Sequence, residues 1–252
     1  SYIEPLNANS LVDSNFYVYK NDSRILYKKG MEKQAEEVSN YLNKEINNIE
    51  SMHGTQFTKK VIVHICNSTE CFSRYTNASE KINAAVSING LFLSPIVFKD
   101  KFHQKFLSHE LSHLHLFQQI SLFRAYYIPQ WFHDGLATYA SSGGGATHVS
   151  KEKAREYILE NKHIKPINSV NTFASRWPTT YDTMIDYKLQ QHTNYRQSAL
   201  FVEYLNKIKN IKIILNHLVN NDGFDTAFYT VYKASPNDMW SAYVSTINST
   251  NK

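Results

Sequence analysis

Residues 109–113 read HELSH, within the run KFLSHELSHLHLFQQ. On a helix, positions four apart differ by only about 40° around the axis and lie about 6 Å apart, so His109 and His113 project from one face. Two imidazoles so placed reach one divalent cation, and for zinc the metal–nitrogen distances are about 2.0–2.1 Å. Glu110 lies about 100° further round, beside the metal rather than on it, where a carboxylate can take a proton from a bound water. That is the chemistry of metal-assisted hydrolysis. The five-residue pattern alone arises by chance in roughly one of forty chains of this composition, so it needs a further ligand to carry weight.

A catalytic zinc takes three protein ligands and keeps one position open for water. Twenty residues on, WFHDGLATYA at 131–140 follows Pro129 and reads as a second helix. It offers two candidates for the third ligand, Asp134 and His133, about 100° apart around the axis. A structural zinc is the weaker reading, because such sites carry four protein ligands, often thiolates, and the chain has two cysteines. Those two, Cys66 and Cys71 in ICNSTECF, are expected to form a local disulfide, which fits an extracytoplasmic protein. His115 lies about 200° from His113 on the same helix, so it faces away from any metal held there. His103, His148 and His217 read as ordinary surface or core histidines.

With these residues in place, the chain resembles the gluzincin branch of the HExxH metallopeptidases, the peptidase MA-like families. Their motif helix is followed by a second helix reading roughly P-x-W-x-x-E-G-x-A-x-Y. Pro129, Trp131, Gly135, Ala137 and Tyr139 match that pattern, and Asp134 stands where the family has glutamate. The stretch NYRQSALFVEYLNKIKNIKIILNHLVNNDGFDTAFYTVY is similar to the family's helical tail, with a closing segment at Asp238-Met239-Trp240. The likeness spans about residues 30–245, with sharp motifs at 109–113, 129–139 and 195–205.

The resemblance implies an α+β zincin (thermolysin-like) fold, a small mixed sheet with the HExxH helix followed by an all-helical half. It implies a zinc metallopeptidase acting on a peptide or protein substrate, with His109, His113 and Asp134 as Zn²⁺ ligands and Glu110 as general base. Tyr195, in NYRQSALF, aligns with the tyrosine that donates to the oxyanion, and Arg196 beside it is placed to steer a substrate carboxylate. Aspartate is one methylene shorter than glutamate, so its helix must approach about 1 Å closer or the metal bond lengthens. No G-x-M-x-N-like anchor for a free amino terminus is present, which favours an endopeptidase. The alternative is a catalytically inactive zincin-fold scaffold. The retained base Glu110 argues against it.

The elements that must position these residues are legible in outline. Strands are expected at 15–20, 59–66 and 84–95, the last as two halves around Asn89-Gly90 or one bent strand. That segment, AAVSINGLFLSP, has the character of an edge on which an extended peptide adds by backbone hydrogen bonds. Helices are expected at 31–51, 102–120, 131–140, 151–161, 195–208, 211–221 and 236–247. The expected division is a mixed subdomain at 1–120 and a helical one at 121–252, together forming one catalytic domain. Net charge is +5 over 252 residues, and Lys and Arg are spread without a basic block, which disfavours a nucleic-acid partner. No apolar run approaches the roughly 18–20 residues that cross a bilayer.

Overall fold

The computed structural model describes residues 16–87, 90–120, 122–125, 127–167, 178–181 and 187–250. The chain groups into two compact units, one of residues 1–51 with 55–118 and the other of 52–54 with 119–252. Asn15, Ile88 and Asn89 of the expected strands lie outside the described residues.

The first unit is built on a five-stranded mixed sheet. Its strands are β1 (Tyr17–Val18), β2 (Ile25–Tyr27), β3 (Val63–Ile65), β4 (Ala84–Ser87) and β5 (Gly90–Leu93), in the order β1-β2-β3-β5-β4. β2, β3 and β5 run parallel, while β1 and β4 pair antiparallel at the two edges. All three residues of β3 and Leu91–Leu93 of β5 are buried, as central parallel strands require. Helix α1 (Glu32–His53) buries Ala35, Val38, Leu42 and Ile49, a single apolar stripe at helical spacing. The 84–95 segment is therefore two strands, with Ser87 opposite Gly90. Gly90 has φ +123°, and a Cβ there would meet the Ile62 carbonyl at 2.7 Å, so glycine is required.

Helix α2 (Thr69–Thr76) was not expected from the sequence. Ser68 caps it by accepting the Cys71 N–H at 3.1 Å, and Asn77 closes it in the left-handed region. The Cys66–Cys71 disulfide joins the end of β3 to its first turn. Cys66 packs there with Phe72, Ala78, Ala85 and Phe92. Helix α3 (His103–Gln119), after a 3₁₀ turn at Pro95–Lys99, carries the HELSH residues.

Among the described residues of the second unit no strand occurs. Its helices are α4 (Leu122–Ala125), α5 (Gln130–Ala140), α6 (Lys151–Leu159), α7 (Tyr187–Ile208), α8 (Ile211–Val219), α9 (Phe224–Tyr232) and α10 (Pro236–Thr250). α7 begins eight residues earlier than expected, and α9 was not expected at all. The unit's core is aromatic. Trp131 of α5 meets Phe132, Phe201, Phe224 and Phe228 at centroid distances of 5.0–6.1 Å. Its indole N–H donates to the Ile167 carbonyl at 3.0 Å, which satisfies the one polar atom this packing buries.

Candidate metal centre

Helix α3 enters through Asp100, whose carboxylate accepts the Phe102 N–H at 2.8 Å. From Leu107 to Leu116 every residue is buried, four leucines and six residues that are polar or charged. An amphipathic surface helix would expose its polar face, and this one buries it. The Nε2 atoms of His109 and His113 lie 3.0 Å apart, with ring centroids at 4.7 Å and planes at 81°. Two nitrogens on one tetrahedral zinc sit about 3.3 Å apart. The imidazole pair thus meets the donor spacing of a zinc site within a few tenths of an ångström. Glu110, between them in sequence, is 7% exposed.

His115 does something else. Its Nε2 donates to the Thr55 carbonyl at 2.8 Å and its ring meets Phe57 edge-on at 4.9 Å. Burial lowers its pKa, and the bond to the Thr55 carbonyl acts in the opposite sense. With Thr58 and Lys59 bonded to Gln118, it ties the 55–59 segment to the C-terminal half of α3.

In the second unit, Asp134 is fully buried on α5 and His133 is 9% exposed. Gly135 follows because of α7. A Cβ at 135 would lie 2.8 Å from the Ser198 carbonyl oxygen and 2.9 Å from its carbon. Glycine therefore lets α5 and α7 touch backbone to backbone, beside the aspartate and within one turn of Tyr195. Tyr195 is 6% exposed, and its hydroxyl accepts a hydrogen bond from Gln191 Nε2 at 3.3 Å. Sequence reading passed over Gln191. Its i,i+4 spacing from Tyr195 on one helix was the available signal. Arg196 donates from Nε to the Val149 carbonyl at 2.8 Å and from Nη2 to the Ala146 carbonyl at 2.9 Å, so it anchors the loop after α5.

No protein-family model matches the chain, and no curated protein matches it. Among solved structures, native yeast LTA4 hydrolase matches 86% of this chain with TM-score 0.52 at 13% identity. Yeast LTA4 hydrolase in complex with Bestatin covers 87% of this chain with TM-score 0.49 at 12% identity. The matched regions are 36% and 34% of those chains, so this chain spans about a third of their length. At such identity the likeness to the native enzyme is one of fold, a small mixed sheet with many helices.

Proposed function

We propose that the chain is a zinc metallopeptidase of gluzincin type with a thermolysin-like zincin fold, in which both units form one catalytic domain. His109, His113 and Asp134 are its zinc ligands. The observation that carries this reading is the 3.0 Å Nε2–Nε2 separation of His109 and His113, buried together on α3. The donor set supports it: two imidazoles and a carboxylate, all buried, each able to offer one ligand atom to a metal ion. The fold neighbour, yeast LTA4 hydrolase, is a hydrolase by name, which agrees with a hydrolytic reaction.

When bound, zinc supplies an acidified water and polarises the scissile carbonyl. The residues of the chain do the rest. Glu110 accepts the proton of the attacking water and returns it to the leaving amine. The Tyr195 hydroxyl, oriented by Gln191, donates to the oxygen that gains charge in the transition state. β4, an edge strand, offers an extended peptide a backbone to pair with, which suits an endopeptidase. The disulfide agrees with an extracytoplasmic setting. Asp134 in place of glutamate favours a second reading, an inactive scaffold on the same fold.

Metal analysis of the dialysed protein and cleavage of a peptide library decide between them. Wild type and Glu110→Gln are both expected to carry about one zinc per chain. Cleavage by the variant is expected to fall by about 10²- to 10⁴-fold. A chain that neither holds nor takes up zinc overturns the enzyme reading, and full activity in Glu110→Gln overturns the role of the base.

A further inference from the structure

In the helical unit, α5, α7 and the segment 142–151 line a pocket of about 200 Å³ that contains none of the proposed zinc ligands. Its lining includes Thr138, Ser142, Gly143, Lys151, Arg196 and Glu203. Arg196 is half-buried there and rigidly held. Its Nε and Nη2 donate to the Val149 and Ala146 carbonyls. A Cβ at Gly143 would fall 2.7 Å from Nη2 and 2.8 Å from Nη1, so glycine at this position keeps a side chain out of the space before the Nη1–Nη2 edge. Gly143 has φ +101°, a second reason for glycine at that position.

The charge balance of the pocket is positive. A guanidinium carries five N–H donors in a fixed fork, and two backbone carbonyls take the Nε–Nη2 side, leaving the Nη1–Nη2 edge for a bidentate partner. Glu152 acts on Arg196 through space rather than as a hydrogen-bonded partner. The carboxylate in the lining, Glu203, is bonded to Lys151 at 2.6 Å and lies 3.4 Å from Lys207, so lysines already match its charge. Burial works against the charge of Arg196 and lowers its pKa. Half-burying a guanidinium on neutral carbonyls alone is costly, and an anion in the pocket would offset that cost.

We propose that this pocket binds a small oxyanion group, a carboxylate or a phosphate, held bidentately by Arg196 and paired with Lys151. Both chemistries present two coplanar oxygens to the fork, and about 200 Å³ holds either with water to spare. The site is independent of zinc and of peptide cleavage.

Calorimetric titration of the full chain with inorganic phosphate and, separately, with N-acetyl-alanine tests it, at matched ionic strength and with and without added zinc. Saturable 1:1 binding is expected, with a Kd of about 1 mM or tighter. Lys151→Ala should weaken it about tenfold, Glu203→Gln should tighten it, and Arg196→Gln should abolish it. If Arg196→Gln fails to fold, the opposite shifts at Lys151 and Glu203, both in the lining, still decide. Tighter binding of N-acetyl-alanine names a peptide carboxyl terminus as the source of the anion, and tighter binding of phosphate names a free phosphate. Absence of saturable binding, indifference to the Lys151 and Glu203 variants, or binding only after zinc addition overturns the proposal. No outcome depends on turnover, so failure of the peptidase reading leaves it standing.

Discussion

Tyr195 carries the sharpest consequence for single residues. Its hydroxyl is held by Gln191 from one turn earlier on α7, so the phenol is positioned by its own helix before any substrate arrives. Tyr195→Phe removes the donor and leaves the ring. If the hydroxyl meets the oxyanion, kcat falls about 10²- to 10³-fold while KM stays nearly constant, because that bond forms only in the transition state. Steady-state kinetics check this, and an unchanged kcat would reduce Tyr195 to a packing residue. The HELSH residues were readable from spacing because the metal geometry is local to one turn of helix. Asp134 was legible as the proposed third ligand from the family pattern, whereas spacing within its helix left His133 open beside it.

Between elements, the tightest constraint is the crossing of α5 and α7 at Gly135. The atoms that an added Cβ would meet belong to the Ser198 backbone and cannot swing aside. Gly135→Ala should therefore destabilise the fold by about 1–3 kcal/mol, read as a lower denaturant midpoint with unchanged slope. In the sheet, His64 of β3 stacks on Phe92 at 4.2 Å and meets Phe16 edge-on at 5.3 Å. Burial, only partly offset by the backbone at Leu91, holds its pKa down to about 4. The folded chain keeps it neutral while the unfolded chain takes up a proton below about pH 6.5. This contribution to stability is whole above pH 6.5 and declines as the pH falls to about 4, a loss of about 3 kcal/mol. His64→Phe, which keeps the stack, should flatten the urea midpoint over that range, and an unaltered slope would assign the acid sensitivity elsewhere.

The elements that the sequence concealed share a cause. α2 is one eight-residue helix defined by its Ser68 cap and by tertiary packing, too short for a periodic signal. α9 reads FDTAFYTVY, aromatic and β-branched, a strand composition overruled by burial of Phe224, Ala227 and Phe228 on one helical face. β2 is three residues long and gains its identity from pairing with β3. Long amphipathic helices such as α1 and α3 were legible because their period repeats.

For the molecule as a whole, the Cys66–Cys71 bridge fixes one corner of the sheet unit, from the end of β3 to α2. Closing so short a loop in the unfolded chain accounts for about 2 kcal/mol, and the Cys66→Ala/Cys71→Ala chain should lose that much in chemical denaturation. The aromatic core around Trp131 has a different use. No tryptophan falls within residues 1–118, and Trp131 and Trp240 belong to the helical unit. Trp177 lies outside the described residues, while Trp131 and Trp240 each contact the ring of Phe201. Indole emission is thus a built-in reporter for one unit, silent about the sheet. Set against far-ultraviolet circular dichroism, which registers both, it separates two melting processes from one: coincident curves mean a single cooperative domain, and divergent curves mean two that unfold on their own terms.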